Sequence, residues 1–117
     1  MSRRIQRLND AFREEISDLL RRQVKDPRLA SFITITRVDT SADLSQAKVY
    51  VSVMGTEEEK TAAYRGLDAA ASFLRREIGH RLSIRRMPIF SFRRDDSMEQ
   101  GAIVLDLLDE VSDQESS

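Results

Sequence analysis

The chain has 117 residues, 40% of them hydrophobic and 33% charged, with no Cys, no Trp and one His. That length is one domain, and the composition is that of a packed globular protein rather than a disordered one. No Cys and one His together exclude a disulfide scaffold, thiolate metal ligation, thiol catalysis and a His-rich metal centre. Neither a metal nor another cofactor is expected. No apolar run approaches the ~20 residues of a membrane span, and the first residues are polar and periodic, unlike a signal peptide. The expected setting is the cytoplasm, with no membrane partner.

Residues 3–25 carry Ile5, Leu8, Phe12, Ile16, Leu19, Leu20 and Val24 on one stripe, the pattern of an amphipathic helix. Ser2 is placed to cap it, and Pro27 disfavours helical backbone at Asp26. Residues 32–39 are β-branched and alternating, which predicts a strand. Residues 47–54 alternate more cleanly, with Ala47, Val49, Val51 and Val53 on one face and Lys48, Tyr50, Ser52 and Met54 on the other. The polar turn between them, Thr40 to Gln46, predicts an antiparallel hairpin. Gly55 ends the second strand. Thr56 and then Glu57, Glu58 and Glu59 place a cap and favourable charges at a helix start. An apolar stripe follows from Ala63 to Leu82, with the small residues Ala70, Ala71 and Ser72 offering a kink. Pro88 opens a third strand over 89–93. Asp95, Asp96 and Ser97 offer a cap for a last helix carrying Met98, Ala102, Leu105 and Leu108.

The order is therefore α-β-β-α-(kink)-α-β-α, an α+β domain with helices on one face of a three-stranded sheet. The domain is expected over 1–110, and 111–117 is a short acidic tail, expected to be disordered.

The formal net charge of −1 conceals a strong asymmetry. Residues 75–94 hold seven Arg and one Glu, whereas 95–117 hold eight acids and no base. The local field, not the net charge, decides whether a polyanion binds.

Four segments carry a family resemblance: Val24-Lys25-Asp26-Pro27-Arg28-Leu29, Asp43-Leu44-Ser45-Gln46-Ala47-Lys48-Val49-Tyr50-Val51, Phe73-Leu74-Arg75-Arg76-Glu77-Ile78-Gly79, and Met87-Pro88-Ile89-Phe90-Ser91-Phe92. Asp95-Asp96-Ser97 and Gly101 follow. In this order and spacing they resemble bacterial ribosome-binding factor A over roughly residues 3 to 108. The resemblance implies a single type II KH-like domain in which a helix kink of the form Ala-x-Gly replaces the usual RNA-clamping loop. Here Ala70-Ala71-Ser72 stands at that place, with Ser instead of Gly. It further implies a monomeric, cytoplasmic assembly factor without enzymatic activity or a small-molecule substrate. Its partners would be the immature 30S ribosomal subunit and 16S rRNA. It would assist late maturation and 5′-end processing, above all in the cold.

Arg75, Arg76, Arg81, Arg85, Arg86, Arg93 and Arg94 are the foremost candidate RNA contacts, because Arg forks onto phosphate and these residues flank one turn. The plainer alternative is a solvated face neutralised by the acidic end. Arg3, Arg4 and Arg7 oppose the dipole at the first helix start, which a bound polyanion would explain; ordinary surface charge is the alternative. Lys25 and Arg28 are expected near a helix end on structural grounds alone and are weaker candidates. His80 is a surface side chain or an RNA contact. Phe90 and Phe92 read as core before stacking platforms. A competing function is a protein-interaction adaptor docking through the acidic C-terminal helix and tail. A small nuclease is disfavoured, since no acid, base and metal set converges.

Overall fold

A computed structural model of the chain describes residues 2–22 and 32–97. In order these form α1 (Arg3–Arg22), β1 (Phe32–Thr40), β2 (Gln46–Met54), α2 (Glu57–Leu82) and β3 (Ile89–Arg94). The expected helix stop at Pro27, Lys25 and Arg28, the last helix and the tail over 111–117 lie outside the described residues.

The sheet is mixed, with order β1-β2-β3. β1 and β2 form the expected antiparallel hairpin, and β3 runs parallel to β2. A parallel neighbour needs a crossover, and α2 supplies it. Both helices cover one face. Ala47, Val49, Val51 and Val53 of β2 are buried there against Phe12, Ile16 and Leu19 of α1 and Leu67, Leu74 and Ile78 of α2. Phe12 meets Phe90 edge-to-face, with ring centroids 5.6 Å apart. Phe90 is thus core, as its alternation predicts. The Tyr64 hydroxyl donates to the Val51 carbonyl at 2.8 Å and ties α2 to the central strand.

Strict alternation fails in β1. Ile35 and Val38 are both buried on the inner face although three residues apart. The register shifts between Ile35 and Arg37, so Thr36 is the extra residue of a β-bulge and restores the inward parity. The bulge is anchored: the Thr36 hydroxyl donates to Asp95 Oδ2 at 2.6 Å, and the Asp95 N–H donates to the Val51 carbonyl at 2.8 Å. The Thr36 hydroxyl, followed by the Ser97 hydroxyl and N–H, holds the Asp95 carboxyl below its ordinary pKa.

The helix starts follow the sequence. Ser2 Oγ accepts the Ile5 N–H at 3.2 Å. Thr56 and Glu59 form a reciprocal capping box, each side chain accepting the other's N–H at 3.1 Å. The expected kink at Ala70-Ala71-Ser72 falls inside the second helix. α2 is one continuous helix of 26 residues through that point. Ala is the best helix former, and Ser72 is exposed, so neither composition nor packing interrupts the helix there.

The close approach occurs at Gly79 instead. A Cβ at this position would lie 2.9 Å from Met87 Cγ, because the connection from Ser83 to Pro88 crosses α2 here. Met87 is buried, so its side chain has little room to yield. Gly79→Ala is therefore expected to destabilise the fold by about 1–3 kcal/mol. Chemical denaturation of the purified variant reads this directly, and an unchanged midpoint would contradict the crossing.

Candidate nucleic-acid interface

The connection over 83–88 is held at both ends. Ser83 stops α2 in the left-handed conformation, with φ 55° and ψ 43°. The Ile84 N–H returns to the Gly79 carbonyl at 3.0 Å and the Ser83 N–H to that of His80 at 3.3 Å, which together form a Schellman motif. Further on, Arg75 clamps the connection: its Nε and Nη2 donate to the Met87 carbonyl at 3.2 and 2.8 Å. Arg75 is thus committed to a backbone carbonyl as well as facing solvent.

Two hollows flank this connection and share Ile84 as their common wall. The first, of about 390 Å³, brings together Ser72, Arg75, Arg76, His80 and Arg85. Arg76, His80 and Arg85 are exposed, and neither Arg has an ion pair among the described residues. The second, of about 470 Å³, is more apolar and gathers Arg4, Arg7 and Arg86 at its edge. Five cations from three stretches of sequence therefore stand around one fixed connection without local carboxylate partners. Arg, with its planar fork, suits phosphate in such a setting.

The remaining predicted residues do not join them. Arg81 Nη1 lies 2.9 Å from both Glu15 Oε2 and Asp18 Oδ2, bridging α2 to α1. The Arg81 hydrogen bond is the main cause that lowers the Asp18 pKa, and Asp18 in turn raises that of Arg81. Arg94 is held by Glu57 and Asp96, each at 2.9 Å. Its hydrogen bond to Glu57 lowers the Glu57 pKa, and that of Arg94 is raised. These two guanidiniums are structural cross-links in this arrangement. Arg93 pairs in register with Tyr50 on the sheet face away from the helices, and Arg3 is exposed on the first turn of α1 without lining either hollow. That outer face holds a cation absent from the sequence-based candidates. The Arg37 guanidinium lies 4.2 Å from the Tyr50 ring centroid, a cation–π geometry. Only the bulge at Thr36 turns Arg37 outward, so simple alternation hides it.

The β1–β2 turn borders the second hollow through Leu44. Asp43 Oδ1 organises this turn, accepting from the Ser41 hydroxyl at 2.7 Å, the Ser45 hydroxyl at 2.8 Å and the Ser45 N–H at 3.1 Å. These bonds, the Ser41 hydroxyl first, bring the Asp43 pKa down to about 2. A depressed carboxylate stabilises its turn above the unfolded value and loses that contribution as pH falls through the folded one. The turn is expected to hold at pH 4 and to loosen as pH approaches 2, read by NMR from the Ser45 amide shift. A midpoint at the unperturbed value of 3.8 would remove this account. For the α1–α2 bridge, Arg81→Gln is expected to lower the melting temperature while leaving binding to a polyanion unchanged, measured by calorimetry and by anisotropy with RNA.

The family model described as ribosome-binding factor A matches residues 4–108. A ribosome-binding factor A from Acetivibrio thermocellus is 49% identical over 111 residues, covering 95% of this chain and 90% of that protein. The one from Dictyoglomus thermophilum is also 49% identical, over 95% of this chain and 92% of its own. Among solved structures, a putative ribosome-binding factor A from Thermotoga maritima superposes with a TM-score of 0.70 at 33% identity, over 80% of this chain and 88% of that one. A Thermus thermophilus homology model, fitted into a cryo-EM map of its complex with the 30S subunit, superposes with a TM-score of 0.60 at 31% identity, covering 83% of this chain and 97% of that one.

Proposed function

As the chain belongs to the ribosome-binding factor A family, we propose that it binds the free, immature 30S subunit through 16S rRNA and assists late maturation and processing of the 5′ end. It acts by binding rather than catalysis, as a monomer in the cytoplasm, and matters most in the cold, when misfolded rRNA escapes slowly. The observation that carries the RNA-binding part is the set of cations around the 83–88 connection. Arg76 and Arg85 on one side, and Arg4, Arg7 and Arg86 on the other, converge without ion pairs among the described residues. The Schellman turn and the Arg75 clamp hold that connection before any ligand arrives, so little ordering is left to be done on binding. The likeness to a protein fitted into a 30S complex supports the choice of partner.

The test is co-sedimentation of the full chain with purified free 30S subunits across a salt series. Arg76→Ala with Arg85→Ala is expected to fold normally, since exposed charges away from such clamps rarely contribute more than ~0.5 kcal/mol each. Its affinity is expected to fall at least about tenfold. The slope of log K against log salt should become shallower by roughly 1.4, for two lost contacts on single-stranded RNA. Unchanged affinity with a normal melting curve would refute the reading. Binding that ignores salt would favour the protein-adaptor alternative.

A further inference from the structure

The second hollow differs from the first in its lining. Leu8 from α1, Leu44 from the β1–β2 turn, Leu82 from α2, and Ile84 and Pro88 from the connection make aliphatic walls around about 470 Å³. That volume is within the ~300–1,000 Å³ usual for sites that enclose a small ligand or group. Thr40 also lines it and is only 4% exposed. Its N–H is already donated to Asn9 Oδ1 at 2.9 Å, but its Oγ1 has no hydrogen-bond partner. It is the one such buried side-chain atom among the described residues. Native proteins seldom leave a buried hydroxyl unsatisfied, and where they do, a missing ligand or water is a standard reason. Leu44, which also lines the hollow, adopts φ 61°, a left-handed conformation that non-glycine residues rarely take. The Asp43 bonds to Ser41 and Ser45 hold the turn in that shape. Strain of this kind collects where a side chain must be aimed. Arg4 and Arg7 lie one turn apart on α1, and Arg86 comes from the connection.

We propose that this hollow receives one unstacked nucleotide of the bound RNA. Its base enters between the aliphatic walls, which part enough for it to hydrogen-bond to Thr40 Oγ1, an atom closed to solvent in the free chain. Its phosphate stays outside on Arg4, Arg7 and Arg86. The inference rests on the RNA-binding reading above and adds a second, chemically distinct subsite to it. An apolar slot with a single hydroxyl and a rim of three cations matches a flat, weakly polar ring attached to an anion. Ile84 belongs to both hollows, so a strand tracking Arg76 and Arg85 runs on to this one without a gap. One hydroxyl gives little discrimination among bases, so the pocket recognises an extruded nucleotide more than a sequence.

The experiment uses the full chain and a short single-stranded RNA containing 2-aminopurine, with anisotropy for affinity and 2-aminopurine fluorescence for unstacking. Wild type is expected to raise the fluorescence on binding. An abasic site at that position should weaken binding by roughly fivefold or more, from the lost apolar burial of the base. Thr40→Val keeps the shape and removes the unpartnered hydroxyl. It should melt no lower than wild type, bind roughly threefold to tenfold more weakly, and respond less to the base. Leu44→Gly relieves the left-handed backbone, so it should also fold, while losing the fluorescence rise.

If both variants bind the intact and the abasic RNA as wild type does, while Arg76→Ala with Arg85→Ala still loses affinity, the nucleotide pocket is wrong and the RNA reading stands. If wild type binds neither this RNA nor the 30S subunit, both fail. Nuclear Overhauser contacts from residues 98–117 to Leu44 or Ile84 in the free chain would give the hollow to the protein's own end and overturn the proposal.

Discussion

Much of the molecule depends on one crossing, where the connection over 83–88 passes α2 at Gly79. A missing side chain allows the approach, since any Cβ there would meet Met87 Cγ at 2.9 Å. A clamp of two Arg75 hydrogen bonds to the Met87 carbonyl then keeps the connection in place. Met87 itself is buried against the core. Because the connection is fixed there, β3 enters the sheet alongside β2, with the Ile89 N–H donating to the Ser45 carbonyl at 3.0 Å. Both hollows are simply the two flanks of that connection. The surface shape and the placing of cations are thus tied to one close crossing.

The same contact explains why a run of seven Arg in the sequence does not become one patch. The connection has two sides, and the helix end that precedes it faces α1. Arg76 and Arg85 fall on one side and Arg86 on the other. Arg81 turns to Glu15 and Asp18, and Arg94 turns back to Glu57. Charge-assisted bonds of this kind compete directly with phosphate for the same donors. The cations that remain available are therefore fewer than the sequence contains, but they are better fixed.

Local rules made most of the fold legible. The capping residues Ser2 and Thr56, the alternation of Ala47 to Val53 and the apolar stripes of both helices all reflect interactions within a few residues. Two features obeyed rules that a linear reading can overlook. The step of three between Ile35 and Val38 signals a bulge once both are required to face inward, and Arg37 is turned outward as a result. In α2, small size at Ala70-Ala71-Ser72 pointed to a kink within an unbroken helix, but it gave no sign of the tight packing at Gly79, where a neighbour far along the chain arrives. The fate of Arg81 was not legible at all. Its partners are 63 and 66 residues away, and no local pattern encodes them. The unpartnered Thr40 hydroxyl is hidden in the same way, because satisfaction of a hydrogen bond is a property of the packed neighbourhood.

The parallel pairing of β2 with β3 has a consequence for how the chain assembles. β1 and β2 are joined by a short turn that Asp43 organises locally, so the hairpin closes a small loop. β3 can pair only after the whole of α2 has been laid across the sheet, and closing that longer loop costs more chain entropy before any contact rewards it. The hairpin and its covering helices are therefore expected to form before β3 is added. The connection that gathers the cations is tied to that last strand, so the proposed RNA-binding surface is expected to be completed late in folding. Amide exchange that is faster at Phe90 than at Val49 is the signature of that order, and equal protection would argue for a single cooperative unit.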